Sequence, residues 1–150
     1  MKNSNKALVV LSGGQDSTTC LYWAKKRYEF IDTITFDYGQ RHRIEIENAK
    51  TIATMAGVNN IMIPINSFHY LGGNSLTEEA IPVKNETMPN GMPNTFVPGR
   101  NLIFLTFAAA YAYQKGIHDI ITGVCETDFS GYTDCLHHTI EALVNSISIC

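Results

Sequence analysis

The chain has 150 residues, 45% of them hydrophobic and 17% charged, and a net charge of −3. That size suits a single globular domain, and the acidic balance excludes the basic footprint of an avid, sequence-independent nucleic-acid binder. The apolar run after Lys6 is too short for a signal-peptide core or a membrane span, so a cytoplasmic protein with no membrane partner is expected.

The predicted elements alternate. "KALVVL" at 6–11 reads as a buried parallel strand, and 17–29 as a helix capped by Asp16 or Ser17. "DTITF" at 32–36 is a second strand. "IEIENAKTIATMAG" at 44–57 puts apolar residues on one helical face, with Gly57 as its stop. "NIMIPI" at 60–65 is a third strand. Residues 66–98 hold four of the five prolines and no sustained period, which predicts a long functional or mobile loop. "NLIFLTFAAAYAYQKG" at 101–116 is apolar nearly all round, so a deeply packed helix with Asn101 near its cap is expected. "DIITGV" at 119–124 is a fourth strand, and "HHTIEALVNS" begins a last helix. Such alternation argues for an open, doubly wound α/β parallel sheet. Cys20, Cys125, Cys135 and Cys150 form no CxxC pair and read as reduced structural thiols.

Three polar segments follow strands one, two and four: "SGGQDS", "DYGQRH" and "GVCETDFSGYTDC". In a parallel sheet they share the carboxyl edge, where ligands bind beside the switch point. In the first, Gly13 and Gly14 allow a tight turn, and the helix start that follows favours phosphate. Ser12, Ser17, Thr18 and Thr19 add hydroxyl donors, and Asp16 is placed to hold Mg²⁺ beside a polyphosphate. A plain strand–helix turn with a capping Asp or Ser is the simpler alternative. Neither GxGxxG nor GxxxxGK[ST] is present, which excludes the dinucleotide fingerprint and the Walker A loop.

S-G-G-Q-D-S after a hydrophobic strand resembles the PP-loop of the adenine-nucleotide alpha-hydrolase superfamily, a Rossmann-like fold. The resemblance implies that the loop grips the pyrophosphate of ATP while the alpha-phosphorus is attacked. Together with "TFDYGQRH" at 35–42, "PNTFVPGRN" at 93–101 and "ITGVCETDFSGYTDC" at 121–135, the chain resembles the 7-cyano-7-deazaguanine synthase family of queuosine biosynthesis from about residue 7 to about 145. This implies one PP-loop synthase domain over 1–150, a ligase that converts 7-carboxy-7-deazaguanine, ammonia and ATP to the 7-cyano base through adenylylated intermediates. With no glutaminase-like segment, free ammonium is the expected donor.

On that resemblance ATP would be lined by Leu11, Ser12, Gly13, Gly14, Gln15, Asp16, Ser17, Thr18, Thr19, Cys20 and Leu21, with Mg²⁺ on Asp16. Gln40, Arg41 and His42 would lie near the adenosine or the activated carboxyl. Arg100, with Asn101 beside it, would neutralise phosphate or clamp the substrate carboxylate bidentately. Phe129 and Tyr132 would stack on the base, with Ser130 between them in the chain, and Asp128 or Asp134 would accept from its amino and ring N–H groups.

The chain also departs from the family pattern. Thr133 stands where the family usually has proline and Leu136 where it usually has arginine. The resemblance implies a four-cysteine Zn²⁺ site near the C-terminus, and its ligands do not occur in this chain. The apolar ending "VNSISIC" therefore reads as a C-terminal truncation. A bare sheet edge beyond strand four would then favour a homo-oligomer, expected to be a dimer. The alternatives are a PP-loop tRNA thiolation enzyme using Cys125, or a nucleotide-binding module without catalysis.

Overall fold

The computed structural model describes residues 5–40, 43–71, 97–124 and 132–148. They comprise β1 (Lys6–Val10), α1 (Gln15–Lys25), β2 (Phe30–Asp37), α2 (Ile44–Ala56), β3 (Asn59–Pro64), a 3₁₀ turn (Asn66–Tyr70), α3 (Arg100–Lys115), β4 (Asp119–Ile121), a second 3₁₀ turn (Thr133–Cys135) and α4 (His137–Ile147). These residues group into two compact units.

The first unit holds the sheet, α1, α2 and the Phe107–Lys115 part of α3. Its four strands are all parallel, in the order β3-β2-β1-β4. Leu8 pairs with Asp32 on one side and Ile120 on the other, so β1 is central. Ala7, Leu8 and Val9 point alternately to opposite faces, yet none is exposed; both faces of β1 are therefore covered. On one face Val9 and Leu11 pack with Leu21 and Ala24 of α1 and with Ala49, Ala53 and Ala56 of α2. The burial follows the helical stripes 17/21/24 and 46/49/53/56, which is why these segments settle as helices against a sheet. The order β3-β2-β1-β4 reverses direction at β1, with β4 added on its other side. The doubly wound parallel sheet expected from the sequence is thus what forms.

Several boundaries differ from the sequence reading. Helix α1 starts at Gln15 with Gly14 as N-cap, and no side chain caps it, so neither Asp16 nor Ser17 holds that place. It ends at Lys25, short of residue 29, because the Glu29 and Phe30 amides both donate to the Asn5 carbonyl at 3.1 Å and turn the chain into β2. Gly57 does stop α2: its φ of 69° carries a left-handed cap, with the Val58 amide reaching back to Ala53 at 3.1 Å. Only Asp119–Ile121 of the fourth strand pairs with β1; beyond it the chain leaves the ladder.

The second unit holds Tyr38–Gln40, the stretch from Ile65, α3 as far as Thr106, and the residues from Val124 onward. Part of the 66–98 stretch is helical: Asn66–Tyr70 forms the first 3₁₀ turn, anchored by the buried Phe68 ring. Phe68 meets Tyr38 at 5.8 Å and Phe104 at 6.0 Å between ring centroids, both edge-on, and Tyr38 and Phe104 are 5.4 Å apart. Such a trio fixes all three rings. Helix α3 is not packed all round as expected. Leu105, Ala108 and Ala112 form one buried helical stripe, whereas Phe107 and Tyr113 lie off it and are exposed. Helix α4 buries none of its residues.

Candidate functional site

The sequence points first to the turn between β1 and α1, in the first unit. Leu11 fixes its start: its amide donates to the Ile34 carbonyl at 2.9 Å, and its carbonyl accepts the Thr35 hydroxyl at 2.7 Å. Both peptide groups are thus tied to β2 before the chain turns. Gly13 adopts φ +88°, and a Cβ there would lie 2.2 Å from the Glu45 carbonyl oxygen at the start of α2. No other residue fits on either count. Gly123, just past β4, is similarly confined, since a Cβ would lie 3.3 Å from Asp16 and from the Cys20 Sγ. The end of β4 and the first turn of α1 therefore touch, as the shared carboxyl edge requires.

Hydroxyls hold the turn from inside. The Ser17 hydroxyl donates to the Gly14 carbonyl at 3.1 Å and accepts the Ser12 amide at 3.2 Å. Having one hydrogen, it then accepts from the Ser12 hydroxyl, 3.0 Å away. Thr18 donates to the Gly14 carbonyl at 2.7 Å, and Thr19 to the Gln15 carbonyl at 3.0 Å. Ser17, Thr18 and Thr19 are thus engaged with the loop's own backbone. What faces outward is main chain. The amides of Gln15, Asp16 and Ser17 precede the first intrahelical bond of α1, and the helix dipole adds positive potential beside them. Gln15 and the Asp16 carboxylate are exposed there, while Leu21 is buried in the core. Burial, and after it the Asp16 charge, raises the Cys20 thiol above its ordinary range.

A separate cleft of about 280 Å³ lies in the same unit, lined by Asp37, Arg43, Ile44, Ile46, Glu47, Lys50 and Met62. Its charges pair with one another, Arg43 with Asp37 at 2.8 Å and Lys50 with Glu47 at 2.9 Å, so it offers no concentrated charge of one sign.

In the second unit the described candidates are Gln40, Arg100, Asn101, Tyr132 and Asp134. The half-buried Arg100 guanidinium lies 5.6 Å from the Tyr38 ring centroid and 5.7 Å from that of Tyr132. Its Nη1 also donates to the Tyr38 hydroxyl at 3.3 Å. Among the described residues no carboxylate pairs with it. Gln40 is buried, and its side-chain oxygen accepts the Tyr38 amide at 3.0 Å, so it shapes the Tyr38 turn. Asp134 is only 4% exposed. Its Oδ2 accepts the Asn101 amide at 2.9 Å, and the Asn101 Nδ2 donates to the Cys135 Sγ at 3.0 Å. One oxygen of Asp134 thus closes the N-terminus of α3. Arg41, His42, Asp128, Phe129 and Ser130 lie outside the described residues.

Sequence reasoning missed Tyr38, Phe68, Phe104, Glu45, Gly123 and Cys135. Tyr38 stands in the polar cluster after β2, and Gly123 and Cys135 in the segment after β4; the other three left no local signal. Among the described residues no three His, Cys, Asp or Glu side chains are placed to share a metal ion, and no helix is long and apolar enough to cross a membrane.

Comparison with known proteins bears on the same features. The chain is 56% identical over 152 aligned positions to a 7-cyano-7-deazaguanine synthase of Laribacter hongkongensis, covering 99% of this chain and 66% of the relative. It is 55% identical to the synthase of that name from Chromobacterium violaceum, covering 94% and 62% respectively. The chain thus spans somewhat less than two thirds of the length of these relatives. Among solved structures, an NH3-dependent NAD synthetase from Campylobacter jejuni, in complex with the nitrate ion, superposes with a TM-score of 0.54. That likeness is at 14% identity, over 77% of this chain and 46% of that one, and it concerns the fold. A family profile described as queuosine biosynthesis protein QueC matches residues 6–150, and on that match the chain belongs to the QueC family.

Proposed function

We propose that the protein is an ATP-dependent ligase that converts 7-carboxy-7-deazaguanine and ammonia to 7-cyano-7-deazaguanine. The observation that carries this reading is the row of open amides at Gln15–Ser17, held by Gly13 and Ser17, in a chain 55–56% identical to synthases of that name.

In this reading the amides grip the polyphosphate of ATP and the exposed Ser12 hydroxyl turns to a phosphate oxygen. Asp16 would hold Mg²⁺: a lone exposed carboxylate beside a phosphate cradle fits a hard cation that takes its other ligands from phosphate and water. The ion would neutralise charge on the leaving pyrophosphate. The described residues assemble no four-cysteine set, so they do not fit Zn²⁺. Arg100, held by two tyrosines and without an acidic partner among the described residues, would bind the substrate carboxylate through its fork of donors.

The chemistry then needs positioning more than a nucleophilic side chain. A carboxylate oxygen attacks the alpha-phosphorus and pyrophosphate leaves. Ammonia adds to the acyl carbon, and AMP departs with that oxygen to give the amide. The amide oxygen attacks the alpha-phosphorus of a second ATP and pyrophosphate leaves; AMP then departs with that oxygen, and loss of the two nitrogen-bound protons yields the nitrile. The test is to incubate the chain with 7-carboxy-7-deazaguanine, ammonium, ATP and Mg²⁺ and follow base and nucleotide by mass spectrometry. Nitrile accompanied by AMP is expected. ATP consumed with the base unchanged, or no change in either, would overturn the reading for these 150 residues.

A further inference from the structure

Asp134 closes the N-terminus of α3 one residue from the arginine proposed to meet substrate. Its carboxylate accepts the Asn101 amide at 2.9 Å, and Asn101 directly follows Arg100, the first residue of α3. The Asn101 side chain reaches back to Cys135 at 3.0 Å, so two adjacent residues of the 3₁₀ turn hold one helix end. Tyr132, two residues before Asp134, places its ring 5.7 Å from the Arg100 guanidinium. The backbone of Arg100 and one of its ring neighbours are therefore both set by the segment 132–135. The Arg100 amide itself donates to the Val97 carbonyl at 3.1 Å across a turn in which Gly99 has φ +68°.

We infer that Asp134 is a positioning residue: by fixing the Asn101 amide it sets where Arg100 presents its guanidinium to a substrate carboxylate. The inference rests on the carboxylate role proposed for Arg100. A charged acceptor at a helix N-terminus makes a strong hydrogen bond with the helix dipole, and its near-complete burial shields that bond from water. A neutral acceptor of the same shape should keep most of the geometry. A direct contact with the base edge would instead depend on the charge of the carboxylate.

The experiment is calorimetric titration of the full chain with two ligands, the 7-carboxy base and the uncharged 7-cyano base. Asp134→Ala should weaken the carboxylate ligand about five- to tenfold, the size of a lost cap. It should leave the nitrile within about twofold, and Asp134→Asn should restore the carboxylate ligand. Arg100→Ala should weaken the carboxylate ligand further, and adding Asp134→Ala to it should change nothing more, since both act through one group. Equal losses for both ligands would reduce Asp134 to a structural role and overturn the inference. So would an Asn variant as weak as the Ala variant, or full additivity with Arg100→Ala. If Arg100→Ala itself has no effect, or the unaltered chain binds neither base, the carboxylate role of Arg100 fails and takes the inference with it. Should the alanine variant unfold, Asp134→Glu moves the acceptor by one methylene and should produce the same ligand-selective loss; no loss there overturns the inference equally.

Discussion

The turn at 11–21 and the arginine cluster around Arg100 are built from opposite materials. In the first, the outward face is main chain, and the side chains of Ser17, Thr18 and Thr19 point back to hold it. In the second, the outward group is a side chain, set against two half-buried tyrosine rings. A main-chain site needs only that the backbone reach its shape, so it depends on glycine and on what packs behind it. A side-chain site depends on every residue that constrains one rotamer. The two should therefore fail in different ways when altered.

The largest effect belongs to the main-chain site. Gly13→Ala forces a Cβ to within 2.2 Å of the Glu45 carbonyl, at a φ of +88°. Left-handed strain costs about 1–2 kcal/mol, and overpacking adds about 1–3 kcal/mol. Urea unfolding should show a drop of several kcal/mol, and ATP affinity should be lost. A variant of native stability and native affinity would show that the turn has another shape. Ser17→Ala comes next. It leaves the Ser12 amide without the acceptor it has at 3.2 Å and removes a hydroxyl bonded to the Gly14 carbonyl. A loss of about 1–3 kcal/mol in stability follows, the range for an orphaned polar group. ATP affinity should fall in step, because the same bonds hold the amide row. Stability lost with ATP affinity intact would separate the two functions of that hydroxyl.

The same contrast explains what could be read from the sequence. The turn was legible because a β-branched run, two glycines and a row of small polar residues are adjacent in the chain, and adjacency is all a main-chain site requires. Even there the cap was misplaced: Ser17 looks like an N-cap by type, but its hydroxyl folds back over the turn and Gly14 takes the capping position. The arginine cluster was legible only in part. Arg100 and Tyr132 were visible within motifs, but Tyr38, Phe68 and Phe104 converge from distant segments with no shared period. Asp134 is visible as an acid, but its burial is not written in a local pattern. The strand order, likewise, follows from which apolar faces find each other, and alternation of elements alone does not specify it.

Tyr38→Phe sharpens the comparison from the side-chain end. It removes only the hydroxyl that accepts Arg100 Nη1 at 3.3 Å and leaves the ring among Phe68 and Phe104. Stability should change by no more than about 1 kcal/mol, and ATP affinity should not change. Affinity for the carboxylate ligand should fall a few-fold, with the uncharged base unaffected. Equal losses for the two ligands would mean that the ring stack, and not the hydroxyl, orients Arg100.

The smallest effect concerns Cys20, whose thiol lies beside Gly123 and the first turn of α1. Burial is the main cause of its raised pKa and the Asp16 charge the lesser one. Both favour the protonated thiol, so the folded chain holds that proton more tightly than the unfolded chain does. The stabilisation is therefore fully present below the ordinary thiol value near 9.0 and declines as pH rises through it. Cys20→Ser should flatten the pH dependence of unfolding above that value. Site-resolved alkylation near pH 8 should find Cys20 slower than an unhindered thiol, since only the thiolate reacts. Asp16→Asn should recover a minor part of the rate, because desolvation remains. A full recovery would reverse the order of causes and make this corner of the turn wetter than its packing implies.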